Sequence, residues 1–460
     1  MVASVVTVGG ALLKRVYDDT INDMINSRDD VMGLMPKDYS SDGQEFYKIH
    51  RTAGSPSMGF QAETDTLPTP SSQTWKNSVI TPMEWWGTLS LTQKLISLSK
   101  TQPGAFMRGF DAEVYGFSRD VRKFFEVRIM GDGSGTLATS NEAPANAQAD
   151  LVLKYQSDVR RLVVGQELEI WAVREPTVTA LRVTTGGIPI ISAINPSTKT
   201  ITLSANFAAN TVADFDVITQ RLSRTLTGRQ TMQGIDGAVY DGSSPMETVN
   251  TAFTGTGFQA IKSSLDWDGT AASSPNPTWS SPTFRNGAVG TGDKLESGAA
   301  TVGTNRPITP RLLQQAMDAV EIGGNGQVDT YVCPYGVRLD YAISQLNIRR
   351  NVNTAAIAGQ TTGGFTEDIK DQRYVQYANQ RIIPNRFCRE NVVYAMSWDR
   401  QMLKFWAKPQ WWDDGNILRR SPASKTEYQA EMFAFLEYGV EERNAHARLM
   451  NIDDVEIATV

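Results

Sequence analysis

Two histidines, His50 and His446, and two cysteines, Cys333 and Cys388, supply all the imidazole and thiol in this chain of 460 residues. A Ser/His/Asp or Cys/His site needs a histidine placed on a folded scaffold. His50 falls in an extended limb and His446 near a terminal strand, so no catalytic residue is expected. Two cysteines cannot build a disulfide framework or a four-ligand zinc site. Both lie in apolar stretches and read as small buried hydrophobes, with a reducing compartment as the default. The glycine runs fail on detail. Gly131-Asp-Gly-Ser-Gly135 follows a helix pattern, whereas a phosphate cradle follows a strand and opens a helix. Gly323-Gly-Asn-Gly-Gln-Val-Asp329 nears a calcium-binding nonapeptide but occurs once, and that architecture needs stacked copies. Asp266-Trp-Asp-Gly269 lacks the glycine position and distal Glu of an EF-hand. All three read as turns. Trp411-Trp412 before Asp413-Asp414 would suit a sugar platform, but an aromatic anchor in a core or interface is the simpler reading. No cofactor or metal is expected.

The elements that would carry such residues are more informative. Residues 1–38 read as an arm, with a short helix marked by Leu12, Val16, Asp19 and Asp23. Residues 39–100 read as a long hairpin. Phe46, Lys48 and His50 alternate with Tyr47, Ile49 and Arg51 in one limb. Val79-Ile80, Trp85-Trp86 and Leu89-Ser-Leu91 form the other, around a tip rich in Pro and Thr. A two-stranded ribbon is marginal by itself, so this one needs a partner. Met58, Phe60, Trp75, Trp85 and Trp86 are its candidate inter-subunit contacts.

Phe106, Phe110, Val114, Phe117, Val121 and Phe124 recur at helical spacing and predict a helix over 104–130. Pro103 precedes it, and Gly131–Gly135 stops it. At 1.5 Å per residue it would run about 40 Å. Residues 136–150 read as linker. Residues 151–225 read as a small all-β module, with strands at 167–171, 188–194, 200–203 and 216–218. Residues 226–305 are Gly/Ser/Thr-rich and carry Trp267 and Trp279; so long a loop is usually functional or packed on a neighbour. Thr309-Pro310 opens a helix that Gly323-Gly324 ends. A buried strand over 329–334 and a helix over 336–346 follow. Mixed strand and short helix continue to about residue 410, and one long terminal strand is expected over 426–452.

Apolar residues make up 40 % and charged residues 20 % of the chain, a mix suited to a folded protein. The ten Trp fit a chain that buries surface against partners. The net charge of −6 weighs against a protein that grips DNA tightly, which needs a basic excess. The N-terminal order of apolar and basic residues is wrong for a signal peptide. No run approaches the length of a membrane span.

The order of these pieces resembles major capsid proteins of tailed double-stranded-DNA bacteriophages with the HK97 fold. Four stretches carry the resemblance. Phe124-Phe-Glu-Val-Arg-Ile-Met-Gly-Asp-Gly-Ser-Gly-Thr-Leu137 looks like the end of that family's spine helix. Thr231-Met-Gln-Gly-Ile-Asp236, with Phe258-Gln-Ala-Ile-Lys and Pro277-Thr-Trp279, resembles its loop pattern after an insertion domain. Ile308-Thr-Pro-Arg-Leu-Leu to Gly323-Gly324, with Val332-Cys-Pro334, resembles its second helix and following strand. The ribbon matches its extended loop by position.

The resemblance implies an α+β HK97-like capsid fold. Its parts would be an N-terminal arm (1–38), an extended loop (39–100), a peripheral domain with the spine helix (101–150), an inserted β-domain (151–225), more peripheral domain (226–324), an axial domain (325–410) and a return to the peripheral domain (411–460). It further implies a non-enzymatic virion protein whose hexamers and pentamers form an icosahedral head around DNA contacted non-specifically. The short arm points to a separate scaffolding protein; portal and decoration proteins would be further partners, with no membrane. Assembly would occur in the bacterial host cytoplasm. The family's Lys–Asn cross-link is not carried over, since its positions cannot be matched here. An encapsulin-type nanocompartment shell, another virion part such as a decoration or tail protein, and a polysaccharide-active enzyme are the alternative readings.

Overall fold

The computed structural model describes residues 31–39, most of 46–92, 103–141 with two gaps, 149–171, parts of 181–223, 231–239, three short strands between 266 and 295, 305–351 save 325, most of 375–420, and 427–454. The expected arm helix at 12–23 lies outside these residues, as do 258–262 and 277–279. The arm's end is described: α1 (Val31–Leu34) buries Val31 and Met32, and β1 (Lys37–Asp38) pairs in parallel with residues 403–404.

The ribbon is β2 (Phe46–Ala53) against β3 (Thr74–Ile80), antiparallel from Phe46↔Ile80 to Ala53↔Thr74. It is shorter than the sequence suggests. The chain breaks strand conformation at Thr81-Pro82 and re-enters it as β4 (Met83–Thr92), which belongs to a different sheet. Proline cannot donate to a ladder and forces such a break. Trp85, Trp86 and the Leu89–Leu91 run are therefore body, not ribbon.

The spacing of aromatic residues is answered by α2 (Pro103–Ile129), a helix of 27 residues. Val114 and Val121 are buried, Phe117 and Phe124 pack beside them, and Tyr115 on the opposite side is exposed. The side chains of Phe106 and Phe110 lie outside the described residues.

Next come β5 (Thr136–Thr139), β6 (Asp150–Val152), α3 (Gln156–Arg161), β7 (Leu168–Trp171), β8 (Thr184–Thr185), β9 (Ile191–Asn195), β10 (Thr200–Leu203), β11 (Asn206–Phe207) and β12 (Val217–Gln220). They form small sheets in the orders β5-β12-β7, β6-β10-β9 and β11-β8. The expected linker thus holds a strand, because Thr136–Thr139 finds its ladder on β12, about eighty residues away. Leu151, Leu168, Ile170, Ile201 and Ile218 join the same continuous core as Val114 and Phe125 of α2. Among the described residues, the β-rich stretch shares this core and shows no separate one.

Then follow α4 (Ile235–Ala238), β13 (Asp266–Trp267), which extends the ribbon beside β3, β14 (Thr283–Asn286) and β15 (Asp293–Leu295). The helix expected after Thr309 is α5 (Pro310–Gly324); the Thr309 hydroxyl accepts the Leu312 N–H at 3.3 Å, the N-cap its type predicts. β16 (Thr330–Cys333) is buried throughout, as expected, and α6 (Tyr335–Asn351) follows. The rest is β17 (Val375–Tyr377), β18 (Gln380–Pro384), β19 (Val392–Met396), β20 (Gln401–Trp411), β21 (Arg419–Arg420), β22 (Glu427–Val440) and β23 (Ala447–Met450).

Two large sheets organise the molecule. One runs β15-β14-β23-β19-β16-β18-β17 and packs on α5 and α6 through Leu312, Leu313, Tyr331, Val337, Tyr341 and Leu449. The other centres on β22, flanked by β20 with β1 beyond it, and by β21 and β4. The long terminal strand expected from sequence is two strands. β22 ends at Val440, a 3-10 turn over Arg443–Ala445 intervenes, and β23 enters the other sheet.

Candidate functional site

Nothing in the described residues gathers three or more His, Cys, Asp or Glu into a metal site, and no described helix is long and apolar enough to cross a membrane. His446 is fully buried and its Nδ1 accepts the Ser397 N–H at 3.2 Å. Burial, the dominant cause, depresses its pKa to about 4 despite the nearby Asp399 carboxylate, so the ring is neutral and fixed. Cys333 and Cys388 are free and buried. Burial pushes the Cys333 thiol up to about 12 and raises Cys388 well above its ordinary value, which leaves both inert as nucleophiles. The side chain of His50 lies outside the described residues.

What the fold does build is a pair of surfaces. The first is the ribbon. Its root is held hard: Ile80 is buried and fills the space above Gly439 of β22, where an added Cβ would lie 2.5 Å from Ile80 Cδ1. Opposite Ile80 in register, the Phe46 ring lies beneath the Lys404 ammonium at 3.9 Å. Lys404, itself buried, is paired with Asp38 of β1 at 2.7 Å. One cation thus clasps the end of the arm and the foot of the ribbon.

Beyond the root the apolar side chains are uncovered. Ile49 is 62 % exposed, Trp75 56 % and Met58 80 %, while Phe60 is exposed as fully as in an open chain. Trp75 stands opposite Arg51 in the ladder, and strand alternation puts Ile49 and Trp75 on one face. That face is opposite to the one that Phe46 and Ile80 use at the root. The turn after β2 is drawn together by Ser55, whose hydroxyl donates to the Ser71 carbonyl at 2.9 Å.

The second surface is the β22-centred sheet. Its inner face lies on α2: Trp85 packs 5.1 Å from Phe125 and Trp411 stacks 5.7 Å from Phe117, ring centre to ring centre. Its outer face repeats at period two along both strands. Glu84, Trp86, Thr88 and Ser90 of β4 are exposed in alternation, and Gln429, Glu431, Phe433 and Phe435 of β22 alternate with buried Ala430, Met432, Ala434 and Leu436. Register sets Phe433 against Trp86, and Trp412 completes the cluster at 5.3 Å from Trp86 and 5.6 Å from Phe433. Trp86 and Trp412 remain 44 % and 38 % exposed. Of the proposed ribbon contacts, then, Met58, Phe60 and Trp75 lie exposed on the ribbon, Trp86 lies on this outer face, and Trp85 faces inward onto the helix. Sequence reasoning marked Trp411-Trp412 as an aromatic anchor but left Phe433 out; the signal for it was present in the apolar alternation of β22.

Between these surfaces and the rest lie polar joints. Asp236 of α4 accepts the Tyr394 hydroxyl at 2.6 Å and lies 3.4 Å from Arg389 and from Arg448, tying the Thr231–Asp236 stretch to the seven-stranded sheet. Gln233 N–H donates to the buried Glu437 carboxylate at 2.6 Å. On the other side, Ser157 at the start of α3 donates its N–H to Glu390 at 2.6 Å, and Arg161 donates to the Phe387 carbonyl at 2.9 Å. Buried Asp158 accepts the Thr139 N–H at 3.0 Å. Burial raises its pKa to about 7, outweighing the opposing pull of Arg161. A polar cavity of about 220 Å³ opens at this joint, lined by Arg160, Lys199, Glu390 and Asp454 among others.

No protein-family model matches the sequence, and no curated protein matches it. Solved structures do. A chain of the cyanophage A-1(L) capsid asymmetric unit is similar at 10 % identity and a TM-score of 0.44, with 91 % of each chain covered. The capsid of the myovirus phage XM1 matches at 9 % identity and 0.39, covering 91 % of this chain and 90 % of that one. The cyanophage Pam1 capsid asymmetric unit matches at 9 % and 0.38, covering 90 % and 87 %. All three are bacteriophage capsid structures, the class that the sequence resembles. Each likeness runs nearly the length of both chains but is loose, so the weight of a functional reading falls on this chain's own residues.

Proposed function

We propose that the chain is a self-assembling shell subunit, the major capsid protein of a tailed bacteriophage. The observation that carries this reading is the ribbon. It is rooted by a buried isoleucine and a clasped phenylalanine, yet bares Ile49, Met58, Phe60 and Trp75 to solvent. Scattered apolar residues on a protein surface need no explanation, but several large ones on one marginal element do. A second subunit is the partner that would cover them, and shells provide one at every position.

In this reading 1–38 is an arm and 39–80 reaches a neighbouring subunit. The helix over 104–130 is the spine of a peripheral region, and 151–225 is an inserted surface module. The stretch 325–410 surrounds the capsomer axis. Hexamers and pentamers would close around double-stranded DNA touched without sequence preference, which suits a chain of net charge −6. A separate scaffolding protein, a portal and decoration proteins would be its partners, and the host cytoplasm its place of assembly.

The test is electron microscopy and mass spectrometry of particles formed by the wild-type chain expressed in bacteria, beside a variant with residues 57–70 replaced by a short Gly-Ser turn. Closed particles from the wild type and soluble, unassembled protein from the variant are expected. Packaged protein cargo would point to a cellular nanocompartment instead. Normal particles from the shortened ribbon would overturn its inter-subunit role.

A further inference from the structure

We propose that the seam between α3 and the turn at 385–391 is a proton-operated joint, which grips while Asp158 and Asp454 are neutral and loosens when they ionise. The device works within one chain and does not depend on the shell reading.

Three carboxyl groups from three parts of the chain meet at this seam. Glu390, in the turn before β19, accepts the Ser157 N–H at 2.6 Å. Asp158 is the next residue of α3, so one helical turn brings Glu390 both a backbone donor and a second carboxyl. Asp158 is buried and accepts the Thr139 N–H of β5 at 3.0 Å. Asp454, beyond β23, reaches the start of α6 and accepts the Val337 N–H. Glu390 lies within electrostatic reach of both.

The surrounding charges do not neutralise the set. Asp158 faces Arg161 of its own helix at 3.9 Å, and Arg389 of the turn. Both cations are engaged elsewhere: Arg161 donates to the Phe387 carbonyl at 2.9 Å, and Arg389 lies 3.4 Å from Asp236. Asp454 faces Arg160 of α3 and Asp340 of α6, and Asp453 adds a further carboxyl beside Asp340. Lys199, from the turn between β9 and β10, and the Tyr335 phenol line the cavity at the seam. Cys333, with Arg338 near it, and Cys388 are the thiols within reach of Asp454, and burial keeps both protonated.

Burial favours a neutral carboxyl, and two like charges share a site poorly. Burial is the larger cause and Glu390 a further one in raising Asp158 to about 7 and Asp454 to about 6. Exposed to water, each would titrate near about 3.9. Protons held only by the closed seam stabilise it. That hold is complete below the exposed value and is lost as pH rises through 6 and then 7. Ionised Asp158 beside ionised Glu390 then opposes the hydrogen bond that Ser157 makes from the same turn of helix. The cavity of about 220 Å³, already open on Arg160, Glu390 and Asp454, gives water a path to the new charges. A seam crossed by polar ties of this kind opens locally without unfolding the rest.

Hydrogen exchange of the full chain at about pH 5 and about pH 8 reads the joint, with each rate divided by its intrinsic value at that pH. Peptides over 153–163 and 335–341 carry the Ser157 and Val337 amides. Their protection should fall by roughly tenfold or more between the two conditions, while that of α5, away from the seam, stays constant. The Asp158→Asn/Asp454→Asn double variant should keep its pH 5 protection at pH 8. Wild-type seam peptides indifferent to pH, α5 opening in step with them, or a double variant that opens like the wild type would each overturn the joint. Should the double variant not fold, paired spin labels at Val164→Cys and Ile322→Cys report on the otherwise unaltered chain. Both positions are exposed, and the native cysteines are buried. The distance between labels should lengthen or broaden from pH 5 to pH 8, and an unchanged distribution refutes the proposal.

Discussion

Single residues show how tight the joints are. Gly234 rests on the end of α2: a Cβ there would lie 2.3 Å from the Ile129 carbonyl oxygen, 2.4 Å from that of Arg128 and 2.6 Å from that of Gly131. None of these backbone atoms can move away cheaply, so Gly234→Ala should lower stability by about 1–3 kcal/mol or more. Gly116, within the same helix, has open space where its Cβ would be. Gly116→Ala should therefore raise stability by about 0.5–1 kcal/mol. Melting of the two variants checks both signs. Buried titratable groups set the pH response. Asp158 holds its proton up to about pH 7 when folded but only to about 3.9 when unfolded. The folded state binds the extra proton between those values, so this contribution is present below the unfolded value and fades as pH rises through 7. His446 works the other way: folded it titrates near 4, unfolded near about 6.5, so stability falls as pH drops through that window. Asp158→Asn should remove this group's fall in stability between about pH 4 and 7 and leave the slope above about pH 8 unchanged, which melting across that range checks. Of these residues, neither the depth at which His446 is buried nor the proton held by Asp158 could be foreseen from sequence. The groups around it, the Thr139 N–H and the Glu390 carboxylate, come from other segments of the chain.

Elements were legible where their signal was local. The spacing of Val114, Phe117, Val121 and Phe124 predicted α2 within a residue or two, and Thr309 marked its helix by the hydroxyl that caps it. Strand order was not local. Thr81-Pro82 looks like any turn, and only the ladder of β4 on β22 reveals that it divides ribbon from body. The run from 426 to 452 keeps apolar residues throughout, so nothing in it announces the crossing from one sheet to the other at Arg443–Ala445. The two sides of α2 offer a direct test. Phe117 stacks on Trp411, and Tyr115 is exposed. Phe117→Asp should cost several kcal/mol and leave little soluble folded protein, because it sets a charge between the helix and the sheet. Tyr115→Asp should stay within about 0.5 kcal/mol of the wild type. Equal behaviour of the two would mean the sheet does not lie on that side of the helix.

At the scale of the whole molecule, function was read from an excess of surface over core. The sequence suggested a hairpin over 39–100 that needs a partner; the fold holds a shorter one over 46–80 with β13 beside it, and the aromatic cluster on β22 became visible only once register placed Trp86, Phe433 and Trp412 together. The root of the ribbon has a mechanical consequence. Through Thr81-Pro82 the ribbon continues into β4, whose residues 83–92 are laddered along β22, while Ile80 is lodged at Gly439 and Phe46 lies under Lys404. A pull along β4 loads that whole ladder in shear, so its hydrogen bonds share the tension and do not peel apart one at a time. Were the ribbon held by a second copy, as proposed, tension on it would pass through this root into both large sheets, because the chain that bears it runs on from β22 into β23.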